Sequence, residues 1–300
     1  MIDTRFLDVI PAIGATLSRP TRRAVVAGAC GTAALVAASG VAPLGRGRAF
    51  ASESARADQV VIYHTNDVHG HLQGDGSSAV GIDYVAALHA STPNSLLVDA
   101  GDATQGMPVV SLSKGASAIE LMNAAGYDAM CLGNHEFDNG VDELARRLAK
   151  IKCPVVCANY DFSKVSLSQY VKPYTILKKA GMRIGIIGLM PDITILVSKE
   201  VSDMNPGYEN SELVNKWAEY LKTEKKCDLV IALTHIGFEN EPYLDQMLVR
   251  RTRNVDLVVG GHSHTYLKAP HYENNLDGVP VPIVQDGEWG LYVGNMKISR

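Results

Sequence analysis

The chain predicts an α/β protein. Short apolar runs alternate with segments of helical spacing from Val60 onward. Several of those runs are apolar throughout, as strands covered on both faces are. Residues with metal-ligating side chains stand just beyond the ends of five of them. Alternation of this kind builds a sheet layered with helices, and ligands in such folds gather past the carboxyl ends of the strands.

The elements follow in order. Val60-Val61-Ile62-Tyr63 is the first strand, and residues 82–90 place Ile82, Val85, Ala86 and Leu88 at helical spacing. Ser95 to Asp99 is a strand running into Gly101-Asp102. Residues 116–125 read as a helix, Ala129 to Leu132 as a strand, and 140–151 as a helix with Leu144, Leu148 and Ile151 on one face. Pro154 to Ala158 is a further strand. Tyr174–Leu177 and Met182–Leu189 flank Ala180-Gly181, a hairpin signal. Residues 211–225 and 241–252 read as helices, Leu229–Leu233 and Val255–Val259 as strands. The stretch from Val281 to Ser299 holds two or three more strands around a turn at Glu288-Trp289-Gly290. No repeat or low-complexity segment interrupts residues 60–300, which read as one domain.

The N-terminus reads as a leader. Ser18-Arg19-Pro20-Thr21-Arg22-Arg23 precedes an uncharged stretch from Ala24 to Leu44, and Ala49-Phe50-Ala51 supplies an A-x-A cleavage pattern. Twin arginine before a mildly apolar segment resembles a Tat export signal over residues 1–51, followed by a short linker at 52–59; a retained anchor is the alternative. The leader carries six Arg and two Asp, a charge of +4, so with −4 overall the remainder carries −8. An acidic remainder offers no basic stripe for a nucleic-acid polymer. Four cysteines follow the leader. Their even number in an exported chain permits disulfides, but Cys131, Cys153 and Cys157 sit in or beside apolar runs, and core thiols are the expectation.

The chemistry lies in Asp67-Val68-His69, Gly101-Asp102, Gly133-Asn134-His135-Glu136, Thr234-His235 and Gly260-Gly261-His262-Ser263-His264. Carboxylate, imidazole and amide donors together suit Zn, Mn, Fe or Co. No thiolate is among them, which argues against a closed structural zinc site. Asp67, His69, Asp102, Asn134, His235, His262 and His264 are more ligands than one four-coordinate ion can use. Two divalent ions sharing one carboxylate can use them, and such pairs clamp the attacking and leaving oxygens of a phosphoryl displacement.

These residues resemble the calcineurin-like metallophosphoesterases, and within them the 5′-nucleotidase group. Val60 to Leu72 looks like the family's first motif, and Tyr127 with Leu132-Gly133-Asn134-His135-Glu136-Phe137-Asp138 like its second; Gly287-Glu288-Trp289-Gly290 is similar to the segment that ends the catalytic domain. The resemblance implies a four-layer α/β/β/α sandwich. It implies that Asp67, His69 and His264 bind one metal, that Asn134, His235 and His262 bind the other, and that Asp102 bridges. A hydroxide held between the metals would attack the phosphate, with His135, oriented by Asp138, stabilising charge or protonating the leaving oxygen. The implied substrate is a small phosphoester, a nucleotide first among them; cyclic-nucleotide and nucleotide-sugar phosphodiester hydrolysis on the same centre are alternatives. The group's members usually continue into a second domain that holds the nucleoside, so a further domain or a partner chain is implied for the substrate pocket. His264 matches the broader family rather than the narrow nucleotidase pattern.

Other residues have plainer readings. His64, His71, His89 and His271 are left out of the site. Asp99 is a turn residue or supports the site, and Asn66 and Gln105 orient water or substrate or do neither. Glu288 and Trp289 read as structural near a sheet edge. The pairs Arg146-Arg147, Lys178-Lys179, Lys225-Lys226 and Arg250-Arg251 read as solvated faces.

Overall fold

Two six-stranded sheets absorb the apolar runs. The computed structural model describes residues 59–74, 79–192, 201, 203–207, 209–238 and 244–299. The leader at 1–51 and all of the linker except Gln59 lie outside the described residues. The first sheet contains β1 (Gln59–Thr65), β2 (Ser95–Asp99), β3 (Ala129–Cys131), β4 (Val155–Val156), β5 (Val171–Lys172) and β12 (Gly294–Ser299), in the order β12-β1-β2-β3-β4-β5. Its strands are parallel except for β12, which runs antiparallel to β1. The second contains β6 (Tyr174–Lys179), β7 (Met182–Leu189), β8 (Leu229–Thr234), β9 (Leu257–Val259), β10 (His271–Asn274) and β11 (Pro280–Val284), in the order β10-β11-β9-β8-β7-β6. Here β7, β8, β9 and β11 are parallel, and the edge strands β6 and β10 are antiparallel to their neighbours.

The alternation of side chains along each strand builds the layers. One core joins Val60, Ile62, Leu96, Val98 and Cys131 of the first sheet to Ile184, Ile186, Ile231, Leu233 and Val259 of the second, so the sheets face each other. Intervening residues point outward. Val61, Tyr63, Leu97 and Met130 meet α1 (Ile82–Ser91), α3 (Ala116–Ala125) and α4 (Val141–Leu148). Ile187, Leu189, Val230 and Ala232 meet α5 (Asn210–Thr223) and α6 (Asp245–Arg250). The result is the expected α/β/β/α sandwich. Each fully buried aliphatic side chain in these layers contributes about 1.5–3 kcal/mol of transfer free energy. Gly188 marks where the sheets close: a Cβ there would stand 2.2 Å from the Val156 carbonyl oxygen.

The expected elements are found with shifted ends, except that residues 241–243 of the helix expected at 241–252 lie outside the described residues. The hairpin between β6 and β7 turns at Ala180 and Gly181, both at positive φ (50° and 72°), as a two-residue type I′ turn requires. A short helix, α2 (Pro108–Ser111), and the strands β5 and β10 were not expected. The sequence of β10, His-Tyr-Glu-Asn, is half exposed and carries no apolar run. Cys131, Cys153, Cys157 and Cys227 are buried free thiols, and burial pushes the Cys153 and Cys157 thiols up to about 12, which leaves them unreactive. One expectation is overturned. Arg147 does not lie on a solvated face; it is 2% exposed. Its guanidinium donates to Thr104 Oγ1 at 2.9 Å and to the Glu136 carbonyl oxygen, partners that sequence spacing does not reveal. No helix among the described residues is long and apolar enough to cross a membrane.

Candidate metal centre

The parallel strands of both sheets deliver their carboxyl ends to one edge. Asp67 and His69 follow β1, Asp102 follows β2, Asn134 and His135 follow β3, His235 caps β8, and His262 and His264 follow β9. Backbone hydrogen bonds stitch these loops together. The Asp67 N–H donates to the Gly101 carbonyl oxygen (3.0 Å), the His69 N–H to that of Asp102 (2.9 Å), and the Gly237 N–H to that of Gly261 (3.1 Å). Asp67, His69, Asp102, His262 and His264 all hold positive φ, between 47° and 78°. Such strain at non-glycine residues persists only where the surroundings over-determine it.

Three groups of candidate ligand atoms converge, each within 4.8 Å of one another: Asp67, His69 and His264; Asp102, His235 and His262; and His69, Asp102 and His135. Asp67 Oδ1 lies 3.3 Å from His264 Nε2, 3.7 Å from His235 Nε2 and 3.9 Å from His69 Nε2. Asp102 Oδ2 lies 2.9 Å from His235 Nε2 and 3.9 Å from His69 Nε2. Asp102 thus faces imidazoles of both metal-type sets.

The hydrogen bonding leaves one buried atom spare on each of Asp67, Asn134 and His235, while His69 Nε2 and His264 Nε2 meet at 3.2 Å. Asp67 Oδ2 accepts from Asn66 Nδ2 (2.7 Å) and the His262 N–H (2.8 Å), while Oδ1 is buried without a hydrogen-bond partner. His235 Nδ1 donates to the Ala100 carbonyl oxygen at 2.6 Å. Its Nε2 is buried and, though 2.9 Å from Asp102 Oδ2, makes no aligned hydrogen bond. Asn134 Oδ1 is also buried and unpartnered. Buried orphans of this kind are costly, and oxygen and imidazole lone pairs aimed at one point are what a divalent cation takes. Glu288 Oε2 stands 2.5 Å from His264 Nδ1, which fixes the tautomer and leaves Nε2 to the centre. The residues present therefore fit divalent metal ions.

Electrostatics agree with that fit. Burial pushes His262 down to about 4, with His235 adding to the shift, and lowers His69, so both rings are neutral ligands near neutral pH. At His235 burial opposes charge, but the carboxylates of Asp102 and Asp67 outweigh it and raise its pKa to about 10. Burial of Asp102 is likewise outweighed by His235, which holds its carboxyl below the usual range. An entering cation competes with the His235 proton, so ion binding is coupled to proton release.

Glycines make the room. A Cβ on Gly133 would stand 2.1 Å from Asp102 Oδ1, and one on Gly261 would stand 2.8 Å from His235 Nδ1. His135 lies at the rim in a short 3-10 turn (His135–Phe137). Its Nδ1 is 3.0 Å from Asp138 Oδ2, its ring packs edge-on to His69 at 5.2 Å, and the hydrogen bond to Asp138 raises its pKa. This pair was expected from the resemblance.

Two contributors were not. Glu136, fully buried, accepts from the N–H groups of Asp102 (2.9 Å), Ala103 (3.0 Å), Thr104 (3.2 Å) and Gly133 (2.7 Å), so one carboxylate shapes two ligand loops. Glu288, read as structural, reaches His264. Asn66 orients a ligand loop: besides Asp67 it donates to the Gly287 carbonyl oxygen and accepts from the Asp286 N–H. Asp99 accepts from Thr65 Oγ1 (2.6 Å) and the Gly101 N–H (3.0 Å) and supports the β2 loop.

Comparison with known proteins adds a further line of observation. A model of the calcineurin-like phosphoesterase family matches residues 60–266. The 5′-nucleotidase of Homo sapiens is 33% identical over 287 residues, covering 82% of this chain and 47% of that enzyme. The crystal structure of a 5′-nucleotidase precursor from Thermus thermophilus superposes with a TM-score of 0.70 at 32% identity, covering 80% of this chain and 51% of the other. The Haemophilus influenzae NAD nucleotidase superposes with a TM-score of 0.69 at 27% identity, covering 80% of this chain and 52% of the other. The chain spans about half the length of these relatives.

Proposed function

Because this chain belongs to the calcineurin-like phosphoesterase family, we propose that it hydrolyses phosphate monoesters, 5′-nucleotides foremost, at two divalent metal ions. The observation that carries this reading is the set of buried, unpartnered atoms Asp67 Oδ1, Asn134 Oδ1 and His235 Nε2 at the meeting of the strand ends. Asp67, His69 and His264 would hold one ion and Asn134, His235 and His262 the other, with Asp102 reaching both. When bound, the pair supplies Lewis acidity to the phosphate and a nucleophile at neutral pH. The chain's own residues do the rest. Ala100, Glu288 and Asn66 orient His235, His264 and Asp67. His135, with Nδ1 held by Asp138, presents Nε2 to the reacting group as a proton donor or charge stabiliser.

Turnover of AMP (read as adenosine and phosphate), 2′,3′-cyclic AMP (read as the 2′- or 3′-monophosphate) and UDP-glucose (read as UMP), measured side by side on protein reconstituted with Zn, Mn, Fe or Co, tests the reading. AMP is expected to be turned over fastest. Stoichiometric metal with no turnover of any of the three overturns it. We propose also that the nucleoside is gripped in part by residues of a further domain or partner chain, as the length of the relatives suggests.

The pH dependence follows from the His135–Asp138 pair. The hydrogen bond to Asp138 is the main cause of the raised His135 pKa, so the protonated imidazole persists above its ordinary range and is lost as pH rises. Asp138→Asn removes that support. The alkaline limb of the kcat profile is expected to move to lower pH, and His135→Ala to lower kcat by about 10²–10⁴-fold. A limb that stays in place in Asp138→Asn assigns it to another group.

Export through the leader is part of the same proposal, resting on Arg22-Arg23, the apolar stretch and Ala49-Phe50-Ala51. Residues 1–58 fused to a reporter are expected to direct export that stops when Arg22 and Arg23 are both replaced by Lys; unaltered export excludes the Tat route.

A further inference from the structure

Trp289 is an indole in a costly place. It is 45% exposed and holds φ 58°, a conformation that bulky side chains avoid. Exposure of that order returns little hydrophobic stabilisation, so core packing does not account for the strain. The residue is nevertheless held firmly. Its backbone N–H donates to the Asp67 carbonyl oxygen at 2.7 Å. Its neighbour Glu288 stands 2.5 Å from His264 Nδ1. Its ring stacks on His71, with centroids 5.5 Å apart and planes 21° from parallel. The next residue, Gly290, presses so closely on the His71 carbonyl oxygen that a Cβ would stand 3.0 Å from it. The residue is therefore tied to the two loops that carry Asp67, His69 and His264, through its backbone and Glu288, and its ring is held by His71. His71, under its ring, follows His69 closely in the chain, and Glu288 directly precedes it. By contrast, Tyr266 and Tyr292 stack on each other at 3.9 Å and occupy one another's faces.

We propose that Trp289, backed by His71, is a stacking platform for a planar leaving group whose phosphate sits at the metal centre. The proposal rests on the phosphoester-hydrolase reading and names its substrate class: esters of nucleosides or aryl alcohols, favoured over aliphatic phosphates. Stacking on an indole needs no positive charge, which suits a chain whose residues after the leader are acidic. It accepts any base, because every base offers a π-face, and alanine substitution at such contacts weakens binding about 5- to 100-fold. A ring already stacked on one face by His71 is pre-oriented, so less freedom is lost when a base covers it.

The test compares kcat/KM for AMP and ribose 5-phosphate in the metal-loaded wild type, Trp289→Leu and Trp289→Phe. The preference for AMP is expected to fall about tenfold in Trp289→Leu and to be largely restored in Trp289→Phe. An unaltered preference in Trp289→Leu overturns the platform. A second measurement does not depend on turnover. The chain has two tryptophans, so Trp217→Phe leaves Trp289 as the sole indole reporter. Adenosine, which has no phosphate to hydrolyse, is expected to quench its fluorescence saturably, and the same titration of Trp289→Phe is expected to leave Trp217 emission flat. Absence of quenching in Trp217→Phe overturns the platform even if AMP is a substrate. Failure of the wild type to hydrolyse either phosphate strikes the hydrolase reading, while the adenosine titration still decides the platform.

Discussion

Asp102→Asn will leave a folded protein that binds divalent ions poorly and turns over phosphate esters more than about a hundredfold more slowly. Losing an outer partner of a metal ligand costs about 10–100-fold, and Asp102 is placed to do more than an outer partner. It is a member of two of the converging triads. Its Oδ1 accepts the His135 N–H at 2.9 Å, and its Oδ2 is 2.9 Å from His235 Nε2. The amide keeps the shape and loses the charge. It must also turn its NH₂ somewhere. Toward Oδ1's position it meets the His135 N–H, donor against donor; toward Oδ2's position it meets the atoms that face the ions. Neither orientation restores the carboxylate proposed to reach both ions. The fold should persist, because the Asp102 N–H remains paired with Glu136 and the two sheets pack on a core that Asp102 does not enter. The metal-free variant should also show His235 losing its proton at lower pH, since the Asp102 carboxylate is the chief influence raising it. Metal analysis, phosphate release and thermal melting separate these effects. A full complement of ions with wild-type turnover would refute the proposed bridging role.

How far the centre could be read in advance depends on what each residue's neighbours in sequence disclose. Asp67, Asp102, Asn134, His235 and His262 stand at the ends of apolar runs, and the rule that parallel strands deliver their carboxyl ends to one edge is enough to gather them. The hairpin at Ala180-Gly181 was legible for the same reason: local chemistry fixes it. The residues that hold the ligands in place were not legible. Glu136 acts on Asp102, and Glu288 on His264, across long stretches of intervening chain, so no local pattern links them. Arg147 carries the charge that ordinarily marks a surface, and its neighbour Arg146 does pair with Glu143 in the open. Only the packing of α4 against the β2 loop shows that Arg147 turns inward. A glycine does not announce its reason either; Gly115 holds φ 83°, and a Cβ there would stand 2.8 Å from the Thr104 carbonyl oxygen and 2.3 Å from an Arg147 guanidinium nitrogen. The strands β5 and β10 were missed because two residues, or four half-exposed ones, leave no hydrophobic period.

Glu136→Ala is expected to be the most destabilising single change in this region. Four backbone N–H groups and the Thr104 hydroxyl converge on its carboxylate, at 2.7–3.2 Å. Each orphaned donor costs about 1–3 kcal/mol unless water reaches it. The buried Arg147 guanidinium also loses the first negative charge that offsets its burial. Breaking a buried charged cluster on one side typically costs about 3–5 kcal/mol, a large share of the roughly 5–15 kcal/mol that holds a domain folded. Glu136→Ala is therefore expected to unfold at much lower urea concentration or not to fold at all. Glu136→Gln keeps the volume and one acceptor, and separates stability from function. Its NH₂ must face either the Asp102 and Gly133 N–H groups or those of Ala103 and Thr104. The loop that sets Asp102 and Asn134 shifts in both cases. The expected result is a folded protein with a smaller loss in urea stability and a fall in divalent-ion affinity of about 10–100-fold, read by calorimetric titration with Mn. Wild-type affinity and stability in Glu136→Gln would mean that the loop backbone holds its shape without the carboxylate.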